Sequence, residues 1–427
     1  MLADLLVRNV REAATARGAS TSPLAGPALA STDVVSDAAL ASHDGSIVAF
    51  GPLREVTAGI ELTPDAKIID GGGRVMIPGL VDPHTHLLFA GSREDEFSMR
   101  VAGRSYMDIM QSGGGLYRTV RETRRATAGD LRDHGRRMLA MMMRQGSTTV
   151  EIKSGYGLST ESETAMLECI DALGRAGPST VVATFLGAHA IPEEYAGRAD
   201  AYVDLVISEM LPAVRDAGLA RYCDIFCEDG VLDVDQSRAV REAAAGLDFA
   251  LKVHGNELGH SGGVALAASL GAVSVDHCNF LTDKDIVDLL QSPTMAVCLP
   301  GTPFFRLAPR YADGRRIADS GVPLALATDF NPTASVSSMI FVMFLACLEM
   351  RLTPVEVFNA ATINAAHAIG LGHRVGSLEE GKACDLLLLD VDDFRHIPFH
   401  AGRDLVDLVI SNGRVVCGKR LEAHRFP

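Results

Sequence analysis

Two histidines one residue apart, His84 and His86, close a run whose apolar and β-branched residues read as a strand. Side chains two apart on a strand leave on the same face, so this pair can grip one metal ion together. Two more candidate ligands, His254 and Asp329, end later apolar runs. Three neutral imidazoles, one carboxylate and an open position suit a catalytic divalent ion, Zn2+ or Fe2+, better than a closed structural site. Any one of the four reads equally well as a satisfied core group; all four together do not. Metal-assisted hydrolysis also needs proton carriers. Glu257, three residues beyond His254, His277 at the end of the next run, and Asp329 itself are the candidates, and the duty stays open among them.

Eight such runs place these residues: Val75 to His86, Ser147 to Tyr156, Thr180 to His189, Tyr222 to Glu228, Phe249 to Glu257, Ala272 to Asn279, Met295 to Thr302 and Val322 to Asn331. Segments of helical period lie between them, among them Asp130 to Arg144, Glu161 to Arg175, Val203 to Ala217, Asp235 to Ala245 and Asp283 to Gln291. This alternation predicts an α/β fold, a (β/α)8 TIM-like barrel, whose active site forms at the C-terminal strand ends. His, Glu, Asp, Tyr and Asn gather at those ends. Plain loop starts would draw Gly, Asn and Ser instead.

Outside the barrel the pattern is β-rich. Leu5 to Val10, Ala38 to Ala41 and Ile47 to Phe50 read as strands near the N-terminus; Asp385 to Asp390 and Leu408 to Val416 do so near the C-terminus, with an Asn412-Gly413 hairpin signal. The expectation is a small β-sandwich domain built discontinuously from residues 1–76 and 380–427, and a barrel over 77–379. Ala13 to Ser36 reads as a surface excursion. The long connection between the first two barrel strands carries Ser112-Gly113-Gly114-Gly115, which lacks the Gly-Lys-Ser/Thr ending of a phosphate loop and reads as a flap over the barrel mouth or a plain connector.

Composition narrows the partners. The 427 residues carry 54 acidic and 39 basic side chains, a net charge of -15, with no basic run, so neither nucleic acid nor an anionic membrane surface is expected. The apolar stretch Met339 to Leu348 is too short to span a bilayer. No signal-peptide pattern opens the chain, so a cytoplasmic address is expected. The eight cysteines sit mostly in apolar runs and read as reduced core residues. Cys223 and Cys227 have no second pair nearby and are a weak zinc signal.

The set His84-x-His86, His254, His277 and Asp329 resembles that of the amidohydrolase superfamily, over nearly the whole chain. With no lysine at the end of the fourth strand, the chain is similar to the mononuclear branch. Four longer stretches, Pro83 to Arg93, Glu151 to Gly157, Leu186 to Ala190 and Ala327 to Pro332, resemble the imidazolonepropionase family within it. That resemblance implies one divalent ion, Zn2+ or Fe2+, on His84, His86, His254 and Asp329. It implies catalytic work by Glu257, His277 and Asp329, and substrate contacts from Arg93, Tyr156, His189, Glu257, Asn331, Thr333 and Ala334. The implied substrate is a small anionic cyclic amide, 4-imidazolone-5-propanoate, opened to N-formimino-L-glutamate, and the implied assembly is a homodimer. An Arg fork is a physically sensible partner for a propionate. The chain departs from the family pattern at Thr333-Ala334, where a Gly and a hydroxyl residue are usual, and at His254-Gly-Asn-Glu257. Thr-Ala narrows a pocket and removes a donor. The alternatives are a related cyclic amide with a different tail, an aminohydrolase acting on a nucleobase-like ring or ureide, and a non-catalytic scaffold.

Overall fold

The computed structural model describes residues 1–104, 108–109 and 112–419. The chain ends share one sheet, built from β1 (Leu2–Ala14), β2 (Val34–His43), β3 (Ser46–Pro52), β4 (Glu61–Asp70) and β5 (Val75–Pro78) of the N-terminal part. The barrel strands follow: β6 (Leu80–Asp82), β7 (Ser147–Lys153), β8 (Thr180–Ala188), β9 (Tyr222–Cys227), β10 (Ala250–Gly255), β11 (Ser274–His277), β12 (Met295–Cys298) and β13 (Leu324–Leu326). The C-terminal part returns to the first sheet with β14 (Leu386–Leu389), β15 (Val406–Ser411) and β16 (Arg414–Gly418). The order is β16-β15-β14-β5-β1-β2-β3, with β4 on β1. Its join is β14 against β5, Leu387 opposite Ile77. Leu5, Val7, Leu40, Ile47, Met76, Leu386, Leu388 and Ile410 form a separate buried cluster beneath it.

One expectation needs correcting. The run Val75 to His86 is not one barrel strand: Val75–Pro78 lies in the terminal sheet and the barrel strand starts at Leu80. Gly79 is the hinge, because its N–H donates to the Asp385 carbonyl at 2.9 Å and a Cβ there would meet Thr148 Oγ1 at 2.1 Å. The Asn412-Gly413 hairpin signal in Leu408 to Val416 holds: the run divides there into β15 and β16, and both turn residues have positive φ, 47° and 72°. The strand β4 has no counterpart in the sequence reading, since most of its residues are exposed and it shows no apolar alternation.

The parallel sheet runs in sequence order from β6 to β13. Helices cover its outside, and their starts are written locally: Thr127, Asp233 and Thr282 each cap the backbone N–H three residues on, and that residue's side chain bonds back. The seam between β6 and β13 closes just past the strand ends. Asp82 accepts bonds from the Thr328 N–H at 3.1 Å and Oγ1 at 2.5 Å, the Asp329 N–H reaches the His84 carbonyl at 3.1 Å, and the His86 N–H reaches the Phe330 carbonyl at 2.8 Å. Closure of the barrel and convergence of the first and last strand ends are therefore one set of bonds. Burial pushes the Asp82 carboxyl up to about 7 against the pull of those Thr328 bonds. A Thr328→Val variant removes one donor from a fully buried partner, and a loss of about 1–3 kcal/mol is expected in urea unfolding.

Candidate metal centre and active site

His84 and His86 follow β6, His254 lies in β10 and Asp329 follows β13, and all four are buried. His86 Nε2 lies 3.2 Å from both His84 Nε2 and His254 Nε2, while Asp329 Oδ1 lies 3.6 Å from His84 Nε2 and 3.5 Å from His86 Nε2. Ligands ~2.1 Å from a tetrahedral ion stand about 3.4 Å apart, and these four spacings are of that length.

The protonation states agree. His84 Nδ1 donates to Asp276 Oδ2 at 2.6 Å, which leaves its Nε2 a bare lone pair facing His86. Burial holds both imidazoles well below their ordinary range, aided by Lys153 at His84 and by His189 at His86. With its Nδ1 proton engaged, His84 presents Nε2 as an acceptor toward His86, the form in which an imidazole ligates a cation. His254 Nδ1 lies 3.1 Å from Asp224 Oδ2; burial lowers this imidazole, but Asp224 more than offsets it and leaves it above its ordinary value. The donor set fits a divalent ion.

Backbone strain marks the same place. Asp329, His277, Cys278 and Asn256 all have positive φ, at 52°, 79°, 57° and 54°. Such conformations in residues with a Cβ are held where surrounding contacts over-determine them, typically at functional sites.

The proton carriers stand beside the ligands. His277, in β11, joins His84 and His254 in one compact donor group. Its Nε2 is 3.6 Å from Glu257 Oε2, and Glu257 Oε1 receives the Arg306 guanidinium at 2.5 Å. Burial raises the Glu257 carboxyl, yet His277 and Arg306 outweigh it and hold the group below its ordinary value, so it is ionised at neutrality. Asp329 is tied by the Thr302 hydroxyl.

Two of the predicted substrate residues pack beside the ligands. Tyr156 and His189 pack at 6.0 Å and 4.9 Å from the His86 ring, the latter stacked. His189 Nδ1 donates to the Gly155 carbonyl at 2.9 Å; burial and nearby His254 push its pKa down to about 4, so it is neutral and its Nε2 is an acceptor. Burial raises the Tyr156 hydroxyl, against the pull of Arg93, and keeps it a donor. Arg93 gives Nε and Nη2 to Glu96 Oε2 at 2.9 and 2.7 Å, and Glu96 Oε1 accepts the Gly115 N–H at 2.8 Å. Glu96 thus joins the glycine run to Arg93. Asn331 is engaged within its own loop: Nδ2 bonds the Asp329 carbonyl, and Oδ1 accepts the Thr333 and Ala334 N–H groups at 2.8 and 3.0 Å.

Sequence reasoning missed Arg306, Thr302 and a charged layer beneath the histidines. That layer comprises Glu151, Lys153, Asp224, Lys252 and Asp276, all with fully buried side chains. A lysine inside an otherwise apolar strand is the signal that could have found it. Among the described residues, neither Cys223 nor Cys227 joins a metal-suited group, and both are buried.

Comparison with known proteins agrees with this geometry. The model of the amidohydrolase family matches residues 75–416. An imidazolonepropionase of Symbiobacterium thermophilum is 46% identical over 97% of both chains, and one of Haloarcula marismortui is 46% identical over 89% of this chain and 90% of its own. In fold, the chain is similar to a zinc-bound adenosine deaminase from Xanthomonas campestris (TM-score 0.73, 20% identity, 98% of this chain and 94% of that one). It is also similar to the E. coli guanine deaminase (TM-score 0.72, 15% identity, 97% and 99%). The TIM-like barrel with a sheet from both ends is therefore an amidohydrolase architecture, and the chain belongs to the imidazolonepropionase family of the amidohydrolases.

Proposed function

We propose that the chain hydrolyses 4-imidazolone-5-propanoate to N-formimino-L-glutamate, a step of histidine degradation. The observation that carries this reading is the pair of buried donor groups that share His84, one with His86 and Asp329 and the other with His254 and His277, in a chain so similar to imidazolonepropionases. When bound, the ion polarises the ring carbonyl and lowers the pKa of water. Arg93 and Tyr156 bind the propionate, with the Thr333-Ala334 loop held by Asn331 beneath it. Neutral His189 accepts from the ring and fixes its orientation. Glu257 takes the proton of the attacking water and, with His277 beside it, delivers it to the ring nitrogen as the C–N bond breaks; Asp329 is the alternative first acceptor. Loss of freshly prepared imidazolone propionate, followed spectrally with the metal-loaded protein, tests the reading. No turnover, or ammonia release from purines, pyrimidines or ureides instead, overturns it.

The ligand set supports Zn2+ and Fe2+ alike, and elemental analysis of protein prepared without chelator decides between them. A cytoplasmic address, a homodimer, and division into a terminal β-domain and a barrel complete the reading, the expected boundary at 76/77 moving to the hinge at Gly79. Among the described residues no helix is long and apolar enough to cross a membrane. Sedimentation equilibrium tests the dimer.

Metal binding should weaken on acidification with a slope of at least one proton. His84 and His86 are already neutral, whereas His254 is held above its ordinary value by Asp224 and must release its proton to bind. Below the pKa of His254 the apparent Kd is expected to rise about tenfold per pH unit, and above it to be flat. Chelator competition across pH 5 to 8 measures the slope; a flat profile contradicts it.

A further inference from the structure

We propose that Lys153 and Lys252 are positioning residues for the metal centre, fixing the Asp224 and Asp276 carboxylates that orient His254 and His84. The ammonium of Lys153 lies 2.7 Å from Asp224 Oδ2, the oxygen that faces His254 Nδ1 at 3.1 Å. It also donates to Glu151 Oε1 at 2.9 Å. Lys252 donates to the carbonyl of Pro83, the residue before His84, at 2.8 Å and lies 3.2 Å from the same Glu151 oxygen. Both ammonium groups stand 3.8 Å from Asp276 Oδ2, which takes the His84 Nδ1 proton. The remaining oxygens are also engaged: Ser274 Oγ donates to Asp276 Oδ1 at 2.6 Å, and the Ile225 N–H donates to Asp224 Oδ1 at 2.7 Å.

Two lysines fully inside a barrel are a heavy electrostatic burden unless paired. Here each carboxylate oxygen that faces an imidazole is also gripped or flanked by an ammonium. A metal ligand's orientation depends on what its other ring nitrogen meets, and these carboxylates have no freedom to turn.

The inference makes a prediction whose sign separates it from simple electrostatics. If the lysines acted only as nearby positive charges, removing one would relieve repulsion of the ion and tighten binding. If they position the ligands, removal weakens it. Co2+ is the probe, titrated into metal-free protein against a competing chelator while its visible spectrum reports the coordination geometry. Lys153→Met and Lys252→Met are each expected to raise the Co2+ Kd by about 10- to 100-fold and alter that spectrum. Lys153→Met added to Asp224→Asn should cost little more than Asp224→Asn alone, because the lysine acts through that carboxylate.

Equal or tighter binding with an unchanged spectrum overturns the proposal, as does full additivity in the double variant. Should Lys153→Met fail to fold by circular dichroism, Lys252→Met carries the test alone, with weaker binding and an altered spectrum supporting the proposal and equal or tighter binding overturning it. The proposal rests on the metal reading above, and the unaltered protein separates the two: failure of that protein to bind Co2+ sinks the metal reading itself.

Discussion

A Glu257→Gln variant is expected to keep its metal and its fold while losing about 100- to 10,000-fold in kcat, the usual contribution of a positioned proton carrier. The amide preserves the volume of the side chain and an oxygen for the Arg306 guanidinium, which meets the carboxylate at 2.5 Å. It cannot accept the proton of an attacking water. Arg306 and His277 hold Glu257 ionised at neutrality, so the wild-type kcat profile should fall on the acid side as that carboxylate is protonated, below the ordinary carboxylate range. In the variant this limb should vanish and KM should stay nearly unchanged. An unaltered kcat with the metal in place would move the duty to Asp329 or His277. Arg306→Leu should act more mildly, shifting the acid limb upward because Glu257 loses its cation.

The site was legible to the extent that chemistry-bearing side chains interrupt apolar runs. His84, His86, His254, His277 and Asp329 each end or follow a strand, and strand order alone brings them to one mouth. Their partners were less visible because nothing local marks them. Arg306 closes a short helix, Gly301–Arg306, and touches Glu257 only through the barrel's curvature. Glu151, Asp224 and Asp276 read as ordinary strand residues until β7, β9 and β11 are seen to converge on one interior. The split at Gly79 was hidden for another reason. Both halves of Val75 to Asp82 are buried and apolar, and what separates them is a contact with Thr148, far along the chain. β4 escaped because a mostly exposed strand carries no hydrophobic period.

Arg93→Ala should be the most damaging substitution among the substrate contacts, because Arg93 serves two partners. Its side chain is 9% exposed and that of Glu96 is 2% exposed, so truncation strands a buried carboxylate, at a cost of about 3–5 kcal/mol for such pairs. Glu96 Oε1 also holds the Gly115 N–H, so the loss spreads into the glycine run. The expected result is a KM for imidazolone propionate raised by about 100-fold or more, together with earlier protease cleavage between residues 94 and 125. Arg93→Lys keeps the charge but not the two-pronged fork, and should recover part of the loss. The comparison that decides the role is a substrate analogue lacking the carboxylate. If Arg93 binds the propionate, wild type and Arg93→Ala should handle that analogue with similar KM once protein of equal metal content is compared. A variant equally impaired on both would show that Arg93 acts only by anchoring Glu96 and the loop it holds.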